Sequence, residues 1–196
     1  MTEPIGLAEG RPFTVHDLEA MPDDGRRYEI IDGMLLVTPA PGWSHQEMSL
    51  TLYTVLRRSC PSGLRVLAAP FAVRTAPTNE VQPDVLVARY DDLTEAALPV
   101  APVLVAETLS RSTQLGDRNT KKAHYQRLGV PSYWLLNPVP PGGLEVYELD
   151  EQGHYQLVAK VDGDEVFAAH QPFPVQICPA RLLDGLRPRD VPGGPG

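Results

Sequence analysis

The stretch Asp84-Val85-Leu86-Val87-Ala88 has a counterpart in Val103-Leu104-Val105-Ala106-Glu107, in which the same four apolar residues are followed, not preceded, by a carboxylate. Short apolar runs bounded by breakers such as Pro83 predict strands that are buried on both faces. If the two strands pair antiparallel, Asp84 and Glu107 become cross-strand neighbours with Cβ atoms about 5 Å apart. Buried carboxylates at that spacing repel each other unless a cation lies between them. The two strands therefore predict a site for a hard metal ion.

The composition is that of an ordinary globular protein. The chain has 196 residues, of which 42% are hydrophobic, and it is long enough for one domain with a core, which we place at residues 13–186. We expect residues 1–12 and 187–196 to be flexible termini. The chain lacks an apolar run that could span a membrane, and its polar N-terminus does not resemble a signal peptide. Cys60 and Cys178 are far apart and have no zinc-site spacing, which predicts reduced, buried thiols in a cytoplasmic protein.

The order of elements predicts the fold class. Thr14 and Asp17 form a capping-box pattern at the start of a short helix, and Asp32-Gly33 is a hairpin signal between two β-prone runs. Ser44 is the expected cap of a helix that ends near Ser59, and a second long helix is expected over residues 117–128. Further strands follow up to about residue 177. We therefore expect one mixed β-sheet flanked by helices, of α/β or α+β type.

Charge is distributed unevenly along the chain. The net charge of −8, taken alone, argues against a polyanionic partner. Residues 110–127, however, have a local excess of positive charge. The basic residues of this segment are Arg111, Arg118, Lys121, Lys122 and Arg127, and Asp117 is its acidic residue.

Other charged residues have two readings each. Lys121 shares a helix face with Asp117 and Tyr125, so it could orient a water or stabilise a transition state, or it could form a surface pair with Asp117. Glu29 alternates with apolar neighbours in a strand, and it is either a third acid near the metal or an exposed hairpin residue. His45 opens the first long helix together with Glu47, where it fits a phosphate site or simple helix-dipole complementarity.

Taken in order, several short motifs resemble the Uma2 family of restriction endonucleases, which belongs to the PD-(D/E)XK nuclease superfamily. The resemblance runs from about residue 13 to residue 186. The motifs are Tyr28–Gly33, His45-Gln46, Gln82–Val85, Val105–Ser110, Asp117 with Lys121 and Tyr125, Gly129–Leu135, and Asn137-Pro138.

The resemblance implies a restriction-endonuclease-like core, with a central mixed β-sheet, flanking helices and extra C-terminal β-hairpins. It also implies cleavage of DNA by a water nucleophile with Mg²⁺, for which Mn²⁺ may substitute. Asp84 and Glu107 match the acids of the superfamily motif and would bind the metal. The superfamily lysine is absent because Leu109 occupies its position, and Lys121 on the following helix matches the family's replacement. Glu29 matches the family's hairpin acid.

The sequence leaves other functions open. One alternative is a catalytically inactive module that keeps the nuclease fold and binds nucleic acid or a protein partner, as the overall acidity and the displaced lysine would allow. Another is a metal-dependent hydrolase of a small phosphoester. A homodimer built on the sheet edge and on Tyr133–Leu136 is a further hypothesis, since a symmetric pair can cut both strands. Any sequence specificity is expected from loops at 39–46, 75–82 and 89–102.

Overall fold

The computed structural model describes residues 3–5, 10–110 and 116–184 of the chain. Its α-helices are α1 (Val15–Leu18), α2 (Trp43–Ser59), α3 (Lys122–Leu128) and α4 (Pro179–Asp184). A π-helical segment, Gly116–Lys121, leads directly into α3. The strands are β1 (Glu3–Ile5), β2 (Arg27–Ile31), β3 (Met34–Thr38), β4 (Leu64–Ala68), β5 (Ala72–Ala76), β6 (Asn79–Val81), β7 (Val85–Arg89), β8 (Ala97–Leu98), β9 (Leu104–Thr108), β10 (Ser132–Asn137), β11 (Gly143–Leu149), β12 (Tyr155–Asp162), β13 (Phe167–Ala169) and β14 (Val175–Ile177).

The described strands form two larger sheets, whereas the sequence predicted one. The first sheet has the order β1-β3-β2-β6-β5-β8, the second has the order β12-β11-β10-β9-β7-β4, and β13 pairs with β14 separately. The division falls at the expected interruption at Pro70, which lies between β4 in the second sheet and β5 in the first. Proline cannot donate a ladder hydrogen bond, so a strand ends there and the chain can change sheets. The predicted class, a mixed sheet with flanking helices, is confirmed.

The second sheet contains β7 and β9, the two strands predicted to bring Asp84 and Glu107 together. β7 pairs antiparallel with β9, with Val85 opposite Ala106 and Val87 opposite Leu104. β9 pairs parallel with β10 on its other side, which makes the sheet mixed. The predicted antiparallel pairing is therefore confirmed.

Both faces of the second sheet are covered, which explains the continuous apolar runs of its strands. On one face, Met48, Leu52 and Leu56 of α2 belong to a buried cluster with alternate residues of β7 and β9. On the other face, the remaining residues of those strands pack with the first sheet and with Tyr125 of α3. The functional side chains discussed below lie on this second side, between the sheets.

The hairpin of β2 and β3 follows the sequence prediction. Ile31 pairs with Met34 across a two-residue turn, in which Asp32 has φ 50° and Gly33 has φ 75°. Two positive φ values define the type I′ turn, whose twist suits a hairpin. A Cβ atom on Gly33 would lie 2.5 Å from Cβ of Pro12, so this position needs glycine for space as well as for conformation.

Several local predictions need correction. Part of the N-terminal segment expected to be flexible, Glu3–Ile5, pairs with β3 as an edge strand. Helix α2 begins at Trp43 with Gly42 as its N-cap, two residues before the expected cap Ser44. The Tyr133–Leu136 run, considered as part of a dimer contact, lies inside the sheet between β9 and β11 and is buried.

Cys60 and Cys178 are free, as expected, but each is only partly buried. The expected flexible segment 187–196 lies outside the described residues. None of the helices in the described ranges is long and apolar enough to cross a membrane.

We expect Gly33→Ala to lower the free energy of unfolding by about 2–4 kcal/mol, because a left-handed alanine costs about 1–2 kcal/mol and the contact with Pro12 adds the remainder. Gly25→Ala is the matched control, since Gly25 has φ 76° but has no atom within 4 Å of an added Cβ. Urea unfolding of both variants tests this. Equal losses for the two substitutions would show that the contact with Pro12 is relieved at no cost.

Candidate active site

Asp84 and Glu107 lie at neighbouring positions on adjacent strands. The register that pairs Val85 with Ala106 brings the next residues, Asp84 and Glu107, opposite each other. Asp84 is 5% exposed and Glu107 is 2% exposed, so both carboxylates are withdrawn from bulk solvent. Both line a cavity of about 140 Å³ together with Lys121. The structure therefore brings the two predicted metal ligands together beside a small cavity.

Asp84 is surrounded by hydrogen-bond donors. Arg27 donates from Nη1 to Oδ1 at 2.9 Å, and the backbone N–H of Thr108 donates to Oδ2 at 2.8 Å. Nε2 of His45 lies 3.0 Å from the same Oδ2. Burial alone would raise the pKa of Asp84, but the hydrogen bond and charge of His45 and the charges of Arg27 and Lys121 hold it well below its usual range. Asp84 is therefore an anion at neutral pH.

Lys121 joins Glu107 to a third buried acid. Its Nζ donates to Oε1 of Glu107 at 3.1 Å and lies 3.1 Å from Oε2 of Glu29. The hydroxyl of Tyr125 donates to Oε1 of Glu107 at 2.9 Å. The backbone N–H of Gln82 donates to Oε1 of Glu29 at 2.7 Å. The lysine is thus fixed between two carboxylates that belong to different sheets.

All four predicted site residues, Asp84, Glu107, Lys121 and Glu29, therefore lie in one buried cluster. The surface-pair reading of Lys121 is wrong, because its side chain is only 8% exposed and contacts Glu29 and Glu107. The exposed-hairpin reading of Glu29 is also wrong, because Glu29 is 1% exposed. Asp117, the other proposed partner of Lys121, has a side chain outside the described part of the structure. The chemical roles of the four residues stay predictions.

The helix that supplies Lys121 differs from the expected regular one. Lys121 is the last residue of the π-helical segment, and the regular α3 begins at Lys122. Wider π-helical turns shift the side-chain positions relative to an α-helix, and they occur often at functional sites. Lys121 and Tyr125 nevertheless reach the same oxygen of Glu107, as their four-residue spacing predicted.

Sequence reasoning missed two donors to Asp84. The contact of Arg27 with the site could have been predicted, because strand alternation places Arg27 on the same face of β2 as Glu29 and Ile31. The backbone N–H of Thr108 leaves no sequence signal, since every residue except proline has one. His45 was considered only for a phosphate or for the helix dipole, and its contact with Asp84 depends on how α2 packs against β7.

The basic segment does not form one surface in the part of it that the structure describes. Lys121 is buried in the site, and Nζ of Lys122 lies 3.5 Å from the ring centroid of Tyr147. Arg127 forms an ion pair with Asp32 on the hairpin turn. Arg111 lies outside the described residues, and the side chain of Arg118 is likewise not described. The described basic side chains of this segment thus make separate contacts in different parts of the fold.

The donor set suits a hard divalent ion. Mg²⁺ takes oxygen ligands and commonly binds to one or two protein carboxylates, with water and substrate oxygens completing its shell. Asp84 and Glu107 provide two such carboxylates beside a cavity. Within the described ranges, no group of three or more His, Cys, Asp or Glu side chains is arranged to hold a metal ion.

Comparisons with known proteins agree with this architecture. The sequence model of Uma2, described as "Putative restriction endonuclease", matches residues 15–182. A crystal structure described as "a putative nuclease belonging to DUF820", from Anabaena variabilis ATCC 29413, has a TM-score of 0.63 and 17% identity, and the match covers 81% of this chain and 89% of that chain. At this identity the likeness establishes a shared fold. No curated protein matches the chain.

His124, next to Tyr125, should make stability depend on pH. Burial lowers its pKa from 6.5 to about 4. Between these two pH values His124 is protonated in the unfolded chain and neutral in the folded protein. The free energy of unfolding therefore decreases as pH falls below 6.5, and the decrease levels off near pH 4. We expect this residue to remove about 2 kcal/mol between about pH 7 and pH 5.

Urea unfolding at the two pH values measures the effect. His124→Gln should abolish that share of the pH dependence, whereas His154→Gln, at an exposed histidine, should keep it. The same loss in wild type and His124→Gln would contradict the assignment.

Proposed function

The chain belongs to the Uma2 family, and on this premise we propose that it is a metal-dependent endonuclease that hydrolyses phosphodiester bonds of DNA. The observation that carries the proposal is the pair Asp84 and Glu107, which lie side by side on adjacent strands and share a cavity with Lys121. The family's description as restriction endonucleases supports nucleic acid as the substrate. The proposal adds the metal, the DNA substrate and the roles of individual residues.

Asp84 and Glu107 are the residues that would hold Mg²⁺, with Mn²⁺ as a substitute. Bound there, the ion supplies a Lewis acid that lowers the pKa of a water and neutralises charge on the phosphate oxygens. Arg27 and the N–H of Thr108 contact opposite oxygens of Asp84 and fix the plane of its carboxylate. This fixed orientation pre-organises Asp84 before substrate arrives.

Lys121 acts on the reacting atoms in this proposal. Its ammonium borders the cavity, where it can hydrogen-bond the attacking water or the charge that develops on a phosphate oxygen. Water forms the new bond to phosphorus, the bond to one bridging oxygen breaks, and a phosphomonoester and a hydroxyl result. Glu29 contacts Lys121 and the backbone of Gln82, so it is a positioning residue for the lysine.

We expect Asp84→Asn and Glu107→Gln to reduce Mg²⁺-dependent nicking of supercoiled plasmid at least about 100-fold, because each removes one anionic oxygen donor from the pair. Glu95→Gln, at an exposed acid remote from the cavity, is the matched control and should cut like wild type. Circular dichroism checks that each variant is folded. Cleavage by the two site variants at the wild-type rate would refute the proposal.

Metal titration separates the proposal from an inactive module. Calorimetry should detect Mg²⁺ or Mn²⁺ binding to wild type and a loss of binding in Asp84→Asn. A folded wild-type protein that binds neither ion and cuts no DNA would favour the alternative of a non-catalytic nuclease-fold module.

Two adjacent lysines give a matched test of Lys121. We expect Lys121→Gln to lower kcat about 100-fold, since it removes the ammonium that faces the cavity. Lys122→Gln removes the same charge from the neighbouring residue, which packs on Tyr147, and should leave kcat unchanged. Plasmid cleavage rates at saturating Mg²⁺ provide the measurement. An equal fall in both variants would mean that general charge, and not the position of Lys121, matters.

A further inference from the structure

The arginines whose side chains the structure describes fall into two groups. Each member of the first group lies within ion-pair distance of a carboxylate, and the members are Arg11, Arg26, Arg27, Arg74 and Arg127. The second group forms no ion pair with any described residue, and its members are Arg57, Arg58, Arg65, Arg89 and Arg181. The chain has 25 acidic residues against 17 basic ones. A shortage of carboxylates therefore does not explain why the second group is unpaired.

All members of the second group except Arg181 lie at one end of the second sheet. We call these residues the arginine patch, and they are Arg57 and Arg58 of α2, Arg65 of β4 and Arg89 of β7. The strand register places Arg89 opposite Leu64, the residue before Arg65. Burial raises the pKa of Cys60, whereas the charges of Arg57 and Arg65 lower it, so both guanidinium groups lie near that thiol. The end of α2, the start of β4 and the end of β7 therefore meet in one region of the surface.

The arginine patch is open to solvent and keeps its positive charge. Its side chains on α2 and β7 are exposed, and that of Arg65 is partly exposed. The guanidinium carbon of Arg65 lies 4.3 Å from the ring centroid of Tyr90, a contact that orients the group without neutralising it. Asp91 and Asp92 follow Tyr90 in the sequence, but they form no ion pair with the patch in the described structure. The arginines outnumber these two aspartates, so this end of the sheet has an excess of positive charge.

The dipole of helix α2 explains only part of this arrangement. Arg57 and Arg58 are in the last turn of α2, where positive charge is favourable. Arg65 and Arg89 belong to strands, however, and β-sheets have only small net dipoles. Guanidinium groups bind phosphate oxygens in a bidentate manner, and basic residues clustered on one face are the footprint of a polyanion. The patch therefore fits an anionic partner that carries phosphate groups.

The exposed side of α2 connects the arginine patch to the candidate active site. A cavity of about 680 Å³ shares His45 and Asp84 with the smaller cavity of that site, and Gln46 and Leu50 also line it. Arg57 follows Leu50 by seven residues and Gln46 by eleven, so the three lie on one face of the helix. A ligand that reaches the carboxylates through the larger cavity can therefore extend along α2 to the patch.

We propose that the arginine patch binds the phosphate backbone of duplex DNA on one side of the bond that is cut. Arg57 lies twelve residues beyond His45 in α2, which is about 18 Å along the helix. Successive phosphates of one strand of B-DNA are about 3.4 Å apart along the axis, so this distance spans about five nucleotides. Duplex DNA is stiff over such a length, so a duplex held at the candidate site can reach the patch without bending. This inference rests on the proposed endonuclease function and adds a minimum length of substrate.

The salt dependence of DNA binding tests the contact without requiring activity. Fluorescence anisotropy of a labelled duplex of about 20 base pairs is measured in EDTA, so that no strand is cut. The patch variant combines Arg57→Gln with Arg58→Gln, and circular dichroism checks its fold. We expect it to bind about 10-fold more weakly than wild type at about 0.1 M salt. The slope of log K against log[salt] should become less negative by about 2, because two phosphate contacts are lost.

Two further double variants separate the position of the arginines from their charge. Arg57→Lys with Arg58→Lys keeps both charges and should keep the wild-type salt slope. Arg11→Gln with Arg127→Gln removes two charges from exposed arginines that are ion-paired elsewhere in the fold, and it should bind DNA like wild type.

Cleavage in Mg²⁺ tests the distance between the patch and the carboxylates. For the long duplex, the patch variant should raise KM about 10-fold and leave kcat close to wild type, because the patch binds substrate and takes no part in the reaction. A hairpin of about 4 base pairs is too short to span the distance. For this hairpin, KM should be the same in wild type and in the patch variant.

The outcomes separate this inference from the proposed function. Equal affinity and equal salt slope for wild type and the patch variant would overturn the inference even if wild type cuts DNA. An equal loss in the variant with Arg11→Gln and Arg127→Gln would also overturn it, because total charge would then account for binding. A rise in KM as large for the hairpin as for the long duplex would overturn the assigned distance. A loss of binding confined to the patch variant, together with a wild type that cuts no DNA in Mg²⁺, would support the DNA-binding patch and refute the endonuclease.

Discussion

The ion pairs of Lys121 hold together the part of the molecule on which the site depends. Glu29 belongs to the first sheet and Glu107 to the second, and the ammonium of Lys121 contacts both. Buried charges are tolerated only when they are paired, so removing this lysine would leave two carboxylates uncompensated in the interior. Arg27 adds a second link of the same kind, from β2 to Asp84. These ion pairs, together with the apolar cluster between the sheets, connect the two sheets where the candidate site lies.

The features that the sequence could predict are those that depend on local patterns and not on contacts between distant parts of the chain. Local patterns sufficed for the type I′ turn at Asp32-Gly33 and for the paired strands that carry Asp84 and Glu107, because both depend on residues close together or on a simple alternation. The division into two sheets was not predictable in this way, since it depends on how distant strands choose partners after Pro70. The contact between Thr108 and Asp84 uses a backbone group, and that of His45 depends on helix docking.

Charge counted along the sequence was a poorer guide than burial. Residues 110–127 have a basic excess in the sequence, but in the described part of this segment Lys121 and Arg127 make ion pairs with acids and Lys122 packs on an aromatic ring. Conversely, Glu29 had no clear assignment from its charge, and its burial makes it part of the site. Where a charged residue lies relative to the sheets, not its position in a run of like charges, decides what it contacts.

Because the site lies between two sheets, it can form only when both sheets have folded and packed together. The residues of the cluster are far apart in the sequence, since Glu29 and Lys121 are separated by about half of the chain. The cluster forms only when these distant residues come into contact. Bringing such distant residues together costs loop-closure entropy, which the contacts made on folding must offset. A growing or partly unfolded chain therefore lacks the assembled cluster. Under the proposed function, DNA could therefore be cut only after the fold is complete.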